Sequence, residues 1–307
     1  MRLGWSVAPI CAWLGACGDG GRGSEAHDAA LDAVCALPPG QTYITATAHI
    51  LPPDQGFDID GDSSIDNAIG ALPEAVRAQA SAGLDEAIAT GQLLIAIFLV
   101  DWDPPTANDP DVKLSAFAVV DADIPADPSN NLDGRGRFYA PIDTLDLSCR
   151  LIAPLADLTT LVDGVLTASG IFWRFLLTTG TGRFELKDVT YVAQLSADFA
   201  TGTARLGGTM TMCSLSAFPF PGDTPGSVLD TFVNDPTIAQ VVQADMDVDG
   251  DGLERVEGDG VSVLRCIDGD GITVIDGPAC PCHPAIVDGY TIGLEFQLVK
   301  AELVGVL

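Results

Sequence analysis

Apolar and polar residues alternate most regularly near the C-terminus, in the segment YTIGLEFQL at residues 290–298. Alternate residues of an extended chain point to opposite sides, so this pattern predicts a β-strand with one buried face. The residues on the apolar face are Tyr290, Ile292, Leu294, Phe296 and Leu298. Polar residues and one glycine occupy the opposite face.

Several other segments have the pattern of strands. TYITATAHIL, at 42–51, alternates weakly, whereas QLLIAIFLVDW and VKLSAFAVVDAD are continuous apolar runs typical of buried strands. Residues 164–213 are rich in Gly, Thr and β-forming residues, and they predict four or five antiparallel strands. We expect tight turns at Gly180–Gly182 and at Thr201–Gly202.

One helix is predicted between the first strand and the first apolar run. Pro73 and Glu74 suit a first helical turn, and Gly91 suits the end. Shorter helices are expected after Thr224 and Asp235, each of which precedes a proline. The positions with helical spacing are Ile69, Leu72, Val76, Ala80, Leu84 and Ile88.

The predicted fold class is therefore α+β and mainly antiparallel β, a β-sandwich or barrel with a few short helices and acidic loops. Residues 35–307 are expected to form a single domain. The Pro/Gly-rich stretch FPFPGDTPG, at 218–226, is the alternative sub-boundary within it.

The chain is strongly acidic. It carries 43 acidic and 14 basic residues over 307 positions, which gives a net charge of −29. This charge repels nucleic acids and anionic membrane surfaces and attracts cations, and the sequence has no basic cluster to offset it. No nucleic-acid partner is therefore expected.

Part of the acid is concentrated in one short string, FDIDGDSSIDNAIG, at 57–70. With Asp58 as position 1, oxygen-bearing residues fall at positions 1, 3, 5, 7 and 9 of an EF-hand-type calcium loop, with position 7 using its backbone carbonyl. Position 6 is Ser63 rather than glycine, and position 12 is Ile69 rather than glutamate. The candidate ligands are Asp58, Asp60, Asp62, Ser64 and Asp66.

This string resembles the DxDxD calcium loops of dockerins and thrombospondin type 3 repeats more than a true EF-hand. The resemblance implies a Ca²⁺ site. The alternative is a solvated acidic loop in which Asp66 caps the following helix.

A second string, ADMDVDGDGLERVEGDG, follows about 190 residues later and has the same spacing. Its candidate ligands are Asp245, Asp247, Asp249, Asp251 and Glu254, and Gly252 takes position 6 when Asp247 is position 1. The alternative is an acidic turn. A weaker string at Asp268, Asp270 and Asp276 also suits a hairpin turn.

The N-terminal stretch MRLGWSVAPICAWLGAC has the length of an export signal, one basic residue and no segment long enough to span a bilayer. Its last four residues, Leu14–Cys17, resemble the lipobox of bacterial lipoproteins. The resemblance implies a signal peptide at 1–16, lipidation of Cys17 and a flexible tether up to residue 34. An ordinary secretory signal is the alternative, and both place the protein outside the cytoplasm, most simply lipid-anchored in the cell envelope, at the outer membrane or cell surface.

The remaining cysteines agree with export. An even number of cysteines in an exported chain indicates up to three disulfides, with open connectivity. The candidates are Cys35, Cys149, Cys213, Cys266, Cys280 and Cys282. Zinc at the CPCHP motif and free thiols are the alternatives.

No nucleophile elbow, zinc-protease motif, phosphate loop or dinucleotide fingerprint is present, so we expect a non-enzymatic protein. The favoured function is a calcium-stabilised envelope lipoprotein that binds or adheres to an extracellular protein or glycan. One alternative is a carbohydrate-active enzyme or sugar-binding module, for which Trp102, Trp173 and Tyr191 are candidate contacts if exposed and packing residues if buried. The other is a carrier of a small apolar ligand.

Overall fold

The structure is a computed structural model that describes residues 37–102, 106–145, 151, 159–176, 183–211, 215, 235–243, 245–246, 266–267, 274–275 and 289–307. Its described strands are β1 (Gly40–Ile50), β2 (Ile95–Val100), β3 (Lys113–Ala118), β4 (Val120–Asp121), β5 (Arg137–Ala140), β6 (Thr159–Val162), β7 (Val165–Leu176), β8 (Arg183–Leu195), β9 (Thr201–Thr211), β10 (Cys266–Ile267), β11 (Val274–Ile275) and β12 (Gly289–Val306). Short 3₁₀ helices occupy Ile69–Ala71, Pro128–Asn130 and Ile142–Thr144.

One α-helix is described over its full length, α1, at Glu74–Ala89, and Leu215 is the one described residue of another helical segment. It begins directly after Pro73, and the chain leaves it through Gly91, which adopts a φ of 74°. Leu72 and Ile88 lie in the main core, and Val76 and Leu84 pack against that core. The terminal signals therefore predicted this element correctly, whereas on the predicted face Ala80 is exposed and Ile69 and Leu72 lie before the helix.

The large sheet has the strand order β3-β2-β1-β12-β9-β8-β7-β6, and neighbouring strands on this path are antiparallel. Strand β5 adds to the C-terminal half of β12 in parallel and also pairs with β4. The sheet curls into a half-barrel, and the segment before β3 reaches β6, where Asp109 and Leu161 exchange two backbone hydrogen bonds. The α+β, mainly antiparallel prediction is confirmed.

The main core fills the concave side of the curled sheet. The alternating apolar residues of β12 all lie in this core. The other seven strands of the path β3-β2-β1-β12-β9-β8-β7-β6 also contribute residues to it. A second, smaller core covers the convex side near β1, β2 and β3, where Phe98 and Phe117 pack edge to face with ring centroids 6.1 Å apart. Burial on both sides explains why β2 and β3 read as continuous apolar runs.

One predicted turn is misplaced. Thr201 and Gly202 are the first residues of β9, and the chain reverses just before them, over residues 196–200. Phe199 takes the left-handed conformation in this reversal, with a φ of 56°. Glycine usually occupies such a position, so the sequence offered no glycine signal at the actual turn. The other predicted turn, at 180–182, lies outside the described residues.

The helix predicted after Asp235 is also not formed as expected. The Asp235 carboxylate accepts hydrogen bonds from the N–H groups of Thr237 and Ile238, as an N-cap would, at 2.8 and 3.2 Å. Residues 236–241 nevertheless form turns rather than an α-helix. The stretch after Thr224 lies outside the described part of the chain.

Candidate metal centre

The first acidic string forms a closed loop on the face of β9 and β12 that is opposite the main core. The chain leaves β1 at Ile50, and Phe57 and Asp66 then face each other in an antiparallel bridge. The N–H of Asp66 donates to the carbonyl of Phe57 at 2.8 Å. This bridge closes residues 58–65 into a tight loop, which brings carboxylates together that the sequence separates.

Three of the predicted ligands converge within this loop. Asp58, Asp60 and Asp66 each place a carboxylate oxygen so that the three oxygens lie within 4.8 Å of one another. Asp58 and Asp60 are exposed, whereas Asp66 is only 8% exposed. This group could hold a metal ion. Asp62 lies in the same loop but outside the group.

Backbone N–H groups hold the carboxylates in place. Asp58 accepts from Gly61 at 2.7 Å and from Ser63 at 3.0 Å. Asp60 accepts from the N–H of Asp62 at 2.9 Å. These bonds orient each carboxylate towards the inside of the loop and offset part of its negative charge.

The same pattern continues to the end of the string. Asp62 accepts from the N–H of Ser64 at 2.6 Å. One oxygen of Asp66, Oδ2, accepts from Ile59 at 2.5 Å and from Asp60 at 3.3 Å. Neither Asp60 Oδ2 nor Asp66 Oδ1 receives a hydrogen bond from any described residue, so both oxygens are available to a cation.

Burial raises the pKa of the Asp66 carboxyl above its usual value. The N–H groups of Ile59 and Asp60 act in the opposite direction, and the negative charges of Asp60 and Asp62 raise the pKa further. A carboxylate that is withdrawn from water beside other carboxylates is destabilised in its charged form. A bound cation would remove that destabilisation.

The two departures from an EF-hand loop have distinct structural outcomes. Ser63 adopts the left-handed conformation, with a φ of 76°, at the position where such loops place glycine. Ile69 is buried in the main core and begins a 3₁₀ helix. The chain therefore supplies no carboxylate at position 12, and the remaining ligands of an ion would come from water or from another loop.

Asn67, which the sequence analysis did not single out, fastens the loop to the sheet. Its side chain is buried, and Nδ2 lies 3.1, 2.9 and 3.0 Å from the carbonyl oxygens of Leu51, Pro52 and Gln55. Oδ1 accepts from the N–H of Gly70 at 3.1 Å and from that of Gly293, on β12, at 2.8 Å. One amide thus joins both ends of the loop segment to a central strand.

Glycines on the sheet make room for this loop. A Cβ added to Gly207 on β9 would lie 2.5 Å from Cδ2 of Phe57, and one added to Gly293 would lie 3.0 Å from Asn67 Nδ2. The side chains of Phe57 and Asn67 therefore rest directly on strand backbone. The loop covers part of the face of β12 that the alternation assigned to polar residues.

The second acidic string meets the same part of the sheet at its first residue. Asp245 Oδ1 accepts from the N–H of Thr291 at 2.9 Å, and Oδ2 accepts from the Thr291 hydroxyl. Burial raises the pKa of Asp245, the bonds from Thr291 oppose this rise, and the charge of Asp66 adds to it. The other predicted ligands of this string, Asp247, Asp249, Asp251 and Glu254, lie outside the described residues.

The lipidation site, the disulfide candidates and the third acidic string lie mostly outside the described residues. Cys17 and its surroundings lie outside the described residues, as do five of the disulfide candidates and the side chain of the sixth, Cys266. Strands β10 and β11, on either side of residues 268–273, pair antiparallel. The aspartates of the third string, Asp268, Asp270 and Asp276, lie outside the described residues.

Two of the three aromatic residues considered for sugar binding are buried. Trp102 is 4% exposed, packs edge to face on Phe199 and donates to the carbonyl of Thr106, and Tyr191 is fully buried in the main core. Both are packing residues, while the side chain of Trp173 lies outside the described part. No helix in the described ranges is long and apolar enough to cross a membrane.

Comparison of the chain with protein-family models, with curated proteins and with solved structures gave no match. The assignment of a function therefore depends on the residues of this chain alone.

Proposed function

We propose that the loop at 58–66 binds Ca²⁺ and that the ion stabilises an exported, lipid-anchored envelope protein whose role is binding or adhesion. The observation that carries the proposal is the convergence of Asp58, Asp60 and Asp66, with their oxygens within 4.8 Å of one another. No basic side chain forms an ion pair with any of the three among the described residues. A cation is the simplest source of compensating charge.

The donor set favours calcium over other metals. All three side chains offer carboxylate oxygen, which suits Ca²⁺ or Mg²⁺, whereas zinc and copper prefer nitrogen and sulfur. Ca²⁺ accepts six to eight oxygens in flexible geometry, while Mg²⁺ requires near-ideal octahedral ligands at about 2.0–2.1 Å. A loop with two exposed aspartates and room for water suits Ca²⁺ better than Mg²⁺.

The proposed role of the ion is structural. Ion binding would offset repulsion among the three carboxylates, and Asn67 would transmit the added stability to β12 because its amide joins the loop to Gly293. Extracellular calcium modules commonly bind with Kd values of about 10⁻⁴–10⁻³ M, which suits occupancy outside a cell. The ion would thus keep a surface loop in one conformation on the face of β9 and β12 that is opposite the main core.

Location and partner class come from the sequence. The lipobox-like LGAC ending at Cys17, the even number of remaining cysteines and the net charge of −29 support an exported protein tethered by lipid. More than one acyl chain is needed for stable anchoring, and a lipidated cysteine of this type supplies it. The proposed partner is an extracellular protein or glycan.

Thermal unfolding measured against calcium, with magnesium as the control ion, tests the metal assignment. Calcium should raise the melting temperature of the wild-type protein through preferential binding to the folded state. Asp60→Asn should lose most of this rise. Asp54→Asn should keep it, because Asp54 is exposed in the same chain segment but outside the cluster. Equal responses of the two variants would contradict the proposal.

A further inference from the structure

The two acidic strings are joined through one buried threonine. The N–H of Ala68 donates to Oγ1 of Thr291 at 2.9 Å, and the same hydroxyl donates to Asp245. Thr291 is fully buried. Because Ala68 follows Asp66 by two residues, the end of the first string and the start of the second meet at the same point of β12.

No ion pair among the described residues neutralises the two carboxylates at this meeting point, those of Asp66 and Asp245. Lys187 lies in the same row of the sheet, but it is on β8, two strands beyond Thr291, and Thr209 on β9 stands between them. The two carboxylates therefore repel each other in a poorly hydrated environment.

Thr209 adds an unsatisfied buried polar atom to this face of the sheet, among the described residues. It is fully buried, and its hydroxyl has no hydrogen-bond partner within the described part of the chain. Thr209 lies directly opposite Thr291 on β9, so the two side chains share one face of the sheet. Buried hydroxyls are normally satisfied, so this face of the sheet has hydrogen-bonding capacity left for water or another segment beside Thr291.

We propose that an ion in the 58–66 loop controls how firmly the Asp245–Met246 segment is held on the sheet. This inference rests on the proposed calcium site. Asp245 and Met246 attach to the beginning of β12, where the N–H of Gly289 donates to Met246 at 3.0 Å and the N–H of Asp245 donates to Gly289 at 3.1 Å. An ion beside Asp66 compensates the charge that opposes this attachment.

Linkage makes the effect reciprocal. If the ion favours attachment of Asp245, then Asp245 must favour binding of the ion by the same factor. Calcium in the loop would therefore fasten the start of the second acidic string, and loss of calcium would loosen it. The ion would act as a switch that connects segments separated by 179 residues, the difference between positions 245 and 66.

Calcium titration calorimetry on the full chain tests the coupling with two matched variants. Asp245→Asn removes the charge but keeps an acceptor for the N–H of Thr291. Asp235→Asn removes a charge from the same stretch, where Asp235 also accepts backbone N–H bonds, but no contact joins Asp235 to the loop. We expect Asp245→Asn to raise the Kd for calcium about three- to ten-fold, a coupling of ordinary size, and Asp235→Asn to leave it unchanged.

Hydrogen exchange provides a second measurement that needs no variant. Calcium should slow exchange of the Thr291 amide in the wild-type protein, because this N–H donates to Asp245. The coupling alone would be overturned if the wild-type protein bound calcium and the two variants had equal Kd values for it. Exchange at the Thr291 amide that did not depend on calcium would also overturn the coupling. Absence of calcium binding in the wild-type protein would overturn the proposed function and the coupling together.

Discussion

Gly293 donates its backbone N–H to Oδ1 of Asn67 at 2.8 Å, across a sequence separation of 226 residues. The same glycine leaves the space that the Asn67 amide occupies, since a Cβ there would lie 3.0 Å from Nδ2 and 3.1 Å from the carbonyl oxygen of Gln55. Hydrogen bonding and steric fit thus act at one contact. They fix the acidic loop to the strand at the centre of the sheet.

Removal of the Asn67 amide should destabilise the fold strongly. Asn67→Ala removes its bonds to two N–H groups and three carbonyl oxygens in a largely buried site, and of these the carbonyl oxygen of Pro52 keeps a bond from the N–H of Gln55. We expect a loss of about 3 kcal/mol in the free energy of unfolding. Asn108→Ala is the control, because Asn108 is exposed and accepts one backbone bond, from Asp163. Urea unfolding measures both, and equal losses would contradict the role assigned to Asn67.

Addition of a methyl group at Gly293 should also destabilise the protein. Gly293→Ala forces Asn67 or Gln55 to move, with an expected loss of about 1–2 kcal/mol. Gly83→Ala, within α1, should instead gain up to about 1 kcal/mol, because nothing lies within 4 Å of a Cβ there. The loss at Gly293 should shrink when Asn67 is already alanine, and strict additivity in a double-mutant cycle would refute the contact.

A substitution at Ser63, which adopts the left-handed conformation, should stabilise the protein rather than destabilise it. Ser63→Gly should stabilise the ion-free loop by up to about 1 kcal/mol, because glycine adopts a positive φ without steric cost. Ser64→Gly should not stabilise it, since Ser64 is not among the residues with positive φ. Guanidinium unfolding in the presence of a chelator compares them, and a loss of stability in Ser63→Gly would be inconsistent with this account.

The stability of the ion-free protein should depend on pH through Asp245. Burial raises the pKa of this carboxyl in the folded state above its ordinary value of about 3.9. The folded protein therefore binds the proton more tightly than the unfolded chain does, and the contribution of this group to stability falls as pH rises through the folded pKa. Its contribution is most favourable at acidic pH, below the unfolded value.

Asp245→Asn removes this titration. The stability of the wild-type protein relative to Asp245→Asn, measured with a chelator present, should therefore increase as pH is lowered from 7 towards the ordinary aspartate pKa of about 3.9. Asp235→Asn provides the control, because it changes the same charge on a neighbouring stretch. A stability difference between wild type and Asp245→Asn that stays constant over this pH interval would contradict the burial of the Asp245 carboxyl.

Lipidation at Cys17 is testable separately from the metal. Cys17→Ser should move the protein from the detergent phase to the aqueous phase on phase separation, because the acyl chains are lost. Cys11→Ser should leave partitioning unchanged, since Cys11 belongs to the segment that the lipobox resemblance assigns to the signal. Equal partitioning of the two variants would argue against the anchor.

The sequence predicted the elements that depend on local periodicity. The alternation of β12 and the helical spacing of α1 are visible because one buried face requires apolar residues at fixed intervals. The convergence of Asp58, Asp60 and Asp66 was predicted from spacing, because the loop that gathers them is local. Asp62 was expected with them but lies outside the group.

Contacts between distant segments could not be predicted in the same way. Asn67 has no charge and no repeat, and its role depends on Gly293, which arrives from the other end of the chain. The link from Ala68 through Thr291 to Asp245 likewise depends on tertiary structure. At the turn before β9, tertiary contacts hold Phe199 in a conformation that the local sequence disfavours: its ring packs on Trp102, and its carbonyl accepts from Tyr43.

The most direct test of the central claim is anomalous X-ray scattering from crystals of the protein grown with calcium. The account predicts a calcium peak about 2.3–2.6 Å from carboxylate oxygens of Asp58, Asp60 and Asp66, with water completing the coordination. Crystals grown with a chelator should lack the peak. An ordered loop at 58–66 that holds no calcium at millimolar concentrations would contradict the claim and leave the aspartates as caps of the loop backbone.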